Sequence, residues 1–175
     1  MKVSIYLALS ANGFISSEKG VPDWLSQEYA QGFMEICQKA QAVIMGRKTY
    51  QIIAPDYLPL EKTGTTIVLT TNTGAKPANS TVIFTRQTPE KIISMLEAKG
   101  HNTAVIIGGM TTVSEFMNAG LVDDLYFVVE PVLFGKGLPM LNGTPDFKLD
   151  FQTVKKLNEN TIRLHYKIKR SENAR

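Results

Sequence analysis

Two stretches of this chain combine residue types that can hold an anion: VIMGRKT at residues 43–49 and VIIGGMTT at residues 105–112. In both, an apolar β-branched run stops at glycine and hydroxyl side chains follow. A strand that breaks at glycine into the start of a helix exposes unpaired backbone N–H groups beside the positive end of the helix dipole, which is a natural anion site. In the first stretch Gly46 permits close approach, Arg47 and Lys48 supply charge, and the Thr49 hydroxyl can bond a phosphate oxygen. In the second, Gly108 and Gly109 end the strand, while Met110, Thr111 and Thr112 open the next helix. Taken singly each stretch also reads as a tight turn, with Thr111 as no more than an N-cap. Neither matches the P-loop or the six-residue dinucleotide fingerprint. Two such junctions in one parallel sheet suit a ligand with two separated phosphate groups, and the basic one suits an extra terminal phosphate, as in NADPH.

The elements that must position them are legible from hydrophobic pattern. Strands are expected at Val3–Ser10, Ala42–Met45, Thr65–Thr71, Thr81–Phe84, Ala104–Ile107 and Leu125–Pro131, with a final hairpin of Phe151–Leu157 and Thr161–Lys169 turning at Asn158-Glu159-Asn160. Helices are expected at Ser26–Lys39, Thr49–Ile53, Pro89–Lys99 and Thr111–Ala119, with Gly100 and Gly120 as stops. Strands alternating with helices call for an α/β fold: a mostly parallel sheet of about eight strands, helices on both faces, and an antiparallel C-terminal hairpin. One domain over residues 1–170 accounts for the pattern, with Asn72–Ser80 as a polar surface loop and 171–175 as a frayed tail.

Composition narrows the function classes. With 175 residues and 43% hydrophobic side chains, the chain can bury a core without disulfides or metals. A net charge of +3, from 19 Lys and Arg against 16 Asp and Glu, is too small and dispersed for nucleic acid as the main partner. The lone cysteine, Cys37, reads as a buried thiol, and the two histidines, His101 and His165, as structural; no metal site is expected. The opening MKVSIYLALSA has the look of a signal peptide but passes directly into Asn12-Gly13, a turn that more naturally ends a first core strand. No run reaches the roughly 18 apolar residues of a membrane span, so a cytoplasmic protein acting on a small molecule is expected.

The residues then carry a resemblance. VIMGRKTY, preceded by LALSANGFIS and followed by VIIGGMTTVSEF, resembles the dihydrofolate reductase fold, a three-layer α/β/α arrangement. AGLVDDLYFVVEPVLFGKGLPML, residues 119–141, is similar to the reductase domain of the bifunctional riboflavin-biosynthesis deaminase-reductase. The resemblance covers nearly the whole chain and implies an NADPH site. It places Ala8 and its backbone beside the nicotinamide, with Asn12 and Gly13 in an adjoining mobile loop. Gly46, Arg47, Lys48 and Thr49 would hold the adenosine-side phosphates, Thr70 and Thr71 would border the adenosine, and Gly108 to Thr112 would cradle the pyrophosphate across a cis Gly-Gly peptide. Trp24 falls where these reductases carry a tryptophan by the cofactor, although a lone Trp is also ordinary core or lid packing.

The chain departs from its relatives where the substrate would sit. The single Asp or Glu that dihydrofolate reductases carry on the first helix falls here on Tyr29 or Ala30, neither of which is an acid. Glu28 points about 100° away around a helix, and Asp23 reads more readily as a helix N-terminal charge or cap; these two are the candidate acids. The Glu that riboflavin reductases place before the glycine pair is Ile107, their SLDG is SANG, and their deaminase domain is absent from this sequence. Glu130 is expected to face solvent or the pocket, and LFGKGLPML to form a mobile loop at the substrate end or a subunit contact. Relatives of this type form dimers, which points to the late strands as a contact surface. The expected activity is NADPH-dependent hydride transfer to a small heterocyclic imine or carbonyl, including that of a 5-amino-6-(5-phosphoribosylamino)uracil reductase. Dihydrofolate reduction and a non-catalytic NADPH-binding sensor are the alternatives.

Overall fold

The computed structural model describes residues 1–60, 64–74 and 79–169. The expected tail at 171–175 and positions 75–78 of the expected surface loop lie outside the described residues. In chain order the elements are β1 (Lys2–Ser10), β2 (Phe14–Ser17), α1 (Gln27–Lys39), β3 (Ala42–Gly46), α2 (Arg47–Tyr57), β4 (Thr65–Leu69), β5 (Val82–Thr85), α3 (Pro89–Ala98), β6 (Thr103–Ile106), α4 (Met110–Asn118), β7 (Asp124–Glu130), β8 (Gly137–Pro139), β9 (Leu149–Lys156) and β10 (Ile162–Ile168). Eight strands form one sheet in the order β5-β4-β3-β6-β1-β7-β10-β9, while β2 and β8 pair apart from it. All pairs through β7 are parallel, and β10 runs antiparallel to both β7 and β9. The expected parallel sheet with an antiparallel terminal hairpin is what forms.

The central strands are apolar on both faces because helices cover both. Alternation along β1 sends Val3, Ile5 and Leu7 to the face packed by Ile92 and Leu96 of α3 and Val113 and Phe116 of α4. Tyr6 goes to the other face, against Phe33 and Cys37 of α1, with Tyr50 and Ile53 of α2 at its margin. Cys37 is fully buried, as its apolar neighbours suggest. The signal-like opening run is a strand flanked by β6 and β7 in the middle of the sheet. Burying such side chains is worth about 1.5–3 kcal/mol each before conformational entropy is subtracted.

Local signals account for most boundaries. Ser26 caps α1 by accepting the Tyr29 N–H at 3.1 Å. Thr88-Pro89 opens α3 with proline in the first turn. The stops at Gly100 and Gly120 take the expected form: His101 N–H reaches back to Leu96 O at 3.0 Å and Leu121 N–H to Phe116 O at 3.2 Å. The terminal hairpin turns on Asn158, whose side-chain oxygen accepts from Asn160 N–H at 2.9 Å and Thr161 N–H at 2.8 Å.

Two expectations need correction. The helix expected at Thr49–Ile53 starts at Arg47 and continues through Pro55 to Tyr57. The hydrogen bond that proline lacks falls in the last turn, where the exposed Gln51 can give its carbonyl to water. The expected mobile loop around Lys136 instead contains β8, which pairs antiparallel with β2 in the register Phe14 to Pro139 and Ser17 to Gly137.

Candidate active site

The helices after β3 and β6 leave in opposite directions: α2 packs on the Tyr6 face and α4 on the Phe116 face. These two strands are neighbours in the sheet, so a crevice opens between them at their C-terminal ends, the position where open α/β sheets bind ligands. A cleft of about 1850 Å³ occupies it, running from Thr85 and Thr88 at one end to the β2–β8 ribbon and α1 at the other. Pockets for one small molecule are about 300–1,000 Å³. This cleft is larger than one small molecule needs.

At the sheet end the two glycine junctions meet. Gly46 N–H donates to Gly108 O at 2.9 Å, and Ile107 N–H donates to Ile44 O at 3.0 Å, so one junction is clamped to the other. Gly46 is the N-cap of α2 and Gly109 that of α4, and neither helix start is closed by a side-chain cap. Both leave main-chain donors at positive dipole ends directed toward the cleft. A Cβ on Gly46 would come within 3.0 Å of Thr112 Oγ1 and 3.4 Å of Gly109 N. Gly108 has φ +124°, which side-chain-bearing residues rarely adopt, and the Gly108–Gly109 peptide is cis. The floor is therefore bare main chain, edged by the hydroxyls of Thr49, Thr111 and Thr112, with Met110 alongside.

Arg47 and Lys48 line the same cleft and are exposed. Thr70 and Thr71 follow β4 into it, and Ala8, buried at the end of β1, forms part of its wall. Trp24 lines the cleft and packs edge-on against Phe134 at 5.2 Å, so it is wall and lid at once. Arg86, Gln87 and Thr88 also line this end and were missed in the sequence. The signal was present: VIFTRQTPE is a third strand-to-helix junction carrying a cation and hydroxyls.

The other end is walled by side chains. Leu25, Tyr29, Phe33 and Met34 come from α1 and its approach, Ile52 and Ile53 from α2, and Phe14, Lys136 and Leu138 from the ribbon region. Ile107, in place of the relatives' Glu, is buried and contributes only apolar surface. Among the described residues the acids that line the cleft are Glu18 and Glu115, both exposed. Tyr29 stacks on Tyr6 with ring centroids 5.4 Å apart, and Tyr6 Oη donates to the Tyr29 carbonyl at 3.3 Å. Burial pushes the Tyr6 phenol up to about 12 and the Tyr29 phenol higher still, so both stay neutral across the working pH range.

Five residues considered for the site do not line it. Asn12 Nδ2 donates to Phe134 O at 2.8 Å and its Oδ1 accepts from Phe134 N–H at 3.2 Å, which ties the turn after β1 to the chain ahead of β8; Gly13 shapes that turn. Asp23 is exposed, and Glu28 accepts a hydrogen bond from Asn158 Nδ2 at 2.9 Å on the far side of α1. Neither acid reaches the cleft. Glu130 faces neither solvent nor pocket: it is 1% exposed and accepts from Ser26 N–H at 3.1 Å, Ser26 Oγ at 2.7 Å and Thr161 Oγ1 at 3.0 Å. It fixes the N-terminus of α1, and with it the wall formed by Trp24, Leu25 and Tyr29.

At the opposite end of the sheet, where β1 and β7 begin, lies a separate charged cluster. Asp124 is buried, with His165 Nε2 2.7 Å from one oxygen and Lys2 Nζ 3.0 Å from the other. Burial alone would raise the Asp124 carboxyl; the His165 and Lys2 contacts outweigh it and hold the group below its usual range. Lys2 is raised in turn, chiefly by its hydrogen bond to Asp124. The His165 ring stacks on Tyr126 at 4.3 Å, in keeping with the structural role expected of it.

The chain is similar to known proteins over nearly its whole length. The uncharacterized protein YwjB of Bacillus subtilis is 27% identical over 172 residues, covering 94% of this chain and 97% of that protein. A solved structure from Shewanella sp. PV-4, named for riboflavin biosynthesis, superposes with a TM-score of 0.81 at 21% identity, covering 97% of this chain and all of that one. The diaminohydroxyphosphoribosylaminopyrimidine deaminase/5-amino-6-(5-phosphoribosylamino)uracil reductase of Thermotoga maritima superposes with a TM-score of 0.79 at 18% identity, and the match spans 95% of this chain but 56% of that one. These two structures share the fold. The family model for the RibD C-terminal domain matches residues 1–163, and the chain belongs to that family.

Proposed function

We propose that the chain is an NADPH-dependent reductase of a small heterocyclic imine or carbonyl compound, within the class that includes uracil reductases of riboflavin biosynthesis. The observation that carries this reading is the pair of clamped glycine junctions, a main-chain cradle that a single Cβ on Gly46 would narrow to 3.0 Å from Thr112 Oγ1. In it, the α4 start from Gly108 to Thr112 holds the pyrophosphate, and Thr49, Arg47 and Lys48 hold the adenosine-side phosphates, with Thr70 and Thr71 against the adenosine. Ala8 flanks the nicotinamide and Trp24 covers it. The bound dinucleotide supplies a hydride; the protein aligns it with the acceptor and keeps water out. Dihydrofolate as the substrate is disfavoured, because no buried carboxylate lines the cleft among the described residues.

The same reading places the protein in the cytoplasm, in keeping with a sequence that has a single cysteine. It also includes a homodimer, supported by the exposed Phe151 and Val154 on edge strand β9. No helix among the described residues is long and apolar enough to cross a membrane. The test is NADPH oxidation in the presence of dihydrofolate, a phosphoribosylaminopyrimidine, and a panel of uncharged cyclic imines and ketones. Turnover on any of them supports a reductase. Tight NADPH binding with no turnover at all supports the sensor reading instead.

A further inference from the structure

Among the described residues the substrate end of the cleft lacks a buried acid, but it holds a tyrosine that its surroundings keep in one place. The Tyr29 main chain is pinned at both ends: its N–H donates to Ser26 Oγ at 3.1 Å, Ser26 Oγ donates to Glu130 Oε1 at 2.7 Å, and its carbonyl accepts from Tyr6 Oη at 3.3 Å. Its ring is stacked on Tyr6 at 5.4 Å and held at 6.0 Å from Phe33. The phenol reaches the backbone of Ala8, the strand end that forms the cleft wall. Burial outweighs that contact and keeps the phenol protonated, so the hydroxyl has a proton to give.

We propose that Tyr29 is the catalytic proton donor of this cleft, and that the substrate is an uncharged, planar, largely apolar compound presenting a carbonyl oxygen or imine nitrogen to its hydroxyl. This rests on the reductase reading above, with a reduced nicotinamide dinucleotide as the source of the two electrons. As the substrate carbon gains a hydride, the C=O or C=N π pair moves onto the heteroatom, which takes the Tyr29 Oη proton, and the phenolate is reprotonated by water. A phenol suits this acceptor and not a pterin: a carboxylate takes hydrogen bonds from ring N–H groups, whereas a neutral phenol gives one to a lone pair. The walls agree, since Leu25, Phe33, Met34, Ile52 and Ile53 surround the site with apolar surface. Most polar and cationic groups lie at the other end, with Ser16, Ser17, Glu18 and Lys136 of the ribbon region as the exceptions.

The test compares the wild type with Tyr29→Phe, which keeps the ring stack and removes only Oη. NADPH affinity is read from Trp24 fluorescence, folding from the thermal transition, and turnover from NADPH oxidation with uncharged cyclic ketones and cyclic imines, with dihydrofolate and a phosphorylated pyrimidine as charged comparisons. The expected result is turnover on the uncharged compounds that falls about 100-fold or more in Tyr29→Phe. The NADPH dissociation constant and melting temperature should be unchanged, and the solvent deuterium isotope effect of the wild type should be lost. Tyr29→Phe turnover within threefold of the wild type would overturn the proton-donor assignment while leaving the reductase reading intact. Reduction of only the charged compounds by a wild type that binds NADPH would overturn the substrate class, and binding with no turnover at all would overturn the reductase reading in favour of the sensor. A wild type that does not bind NADPH would overturn the reductase reading itself, and this proposal with it.

Discussion

Beside β3 and β6 the cleft offers main-chain donors, glycine surfaces and threonine hydroxyls from contiguous sequence; beside α1 it offers side chains gathered from α1, α2 and the β2–β8 ribbon. The first construction is fixed by strand ends and helix starts of the sheet itself, so it can hold a ligand common to a family. The second depends on which side chains line a helix and on a ribbon whose strands lie far apart in sequence. It can be refitted without disturbing the first. Here Tyr29 and Ile107 stand where the resemblance expects acids, and under the proposed reading the consequence is a change in the compound reduced rather than in the reductant.

The most forceful way to break this contrast is Gly46→Val. Its side chain would project toward Thr112 Oγ1, already 3.0 Å from where a Cβ would stand, and into the clamp between the two junctions. NADPH binding should weaken more than about 100-fold, equal to about 2.7 kcal/mol, as measured by fluorescence titration. Removal of a wall side chain at the other end, as in Met34→Ala, should leave NADPH affinity within about twofold and shift KM for the substrate.

The two ends also differ in how they could be read beforehand. The sheet end was legible because strand, glycine, cation and hydroxyl follow one another within a few residues, and the sheet brings the two such runs side by side. What escaped was set by pairings distant in the chain. The three residues of β8 are too few to show a period of two, and only Phe14–Ser17 on the far side makes them a strand. Glu130 reads as outward on alternation, yet Ser26 and Thr161 close over it. Tyr29 drops out of a search for acids, although it occupies the wall that an acid would. Pro55 reads as a helix end but is tolerated in the last turn.

Glu130→Ala sharpens the comparison next. Three donors, from Ser26 and Thr161, lose their buried acceptor, which should cost about 3 kcal/mol in urea unfolding. The damage should fall on the α1 wall, raising substrate KM while moving NADPH affinity by less than about threefold. A smaller effect is expected at the far end of the sheet from Asp124→Asn, about 1–2 kcal/mol, with no change in either ligand. Its pH dependence has a defined sign. Asp124 is lowered in the folded protein, so its contribution is present above the unfolded value of 3.8 and lost as pH falls through the folded one. Lys2 is raised, so its contribution is present below 10.5 and lost as pH rises through its folded value. The wild type should therefore lose its stability advantage over Asp124→Asn at both acid and alkaline extremes, as followed by melting temperature against pH.

The central claim, that the Gly-Arg-Lys-Thr junction holds the adenosine-side phosphates of NADPH, is tested most directly by dissociation constants for NADPH and NADH in the wild type and in Arg47→Ala plus Lys48→Ala. Wild-type protein should prefer NADPH, and the double variant should bind NADPH about 10–100-fold more weakly, the loss of one or two charge-assisted phosphate contacts, while NADH affinity changes little. A preference for NADPH that survives the double substitution would contradict the account.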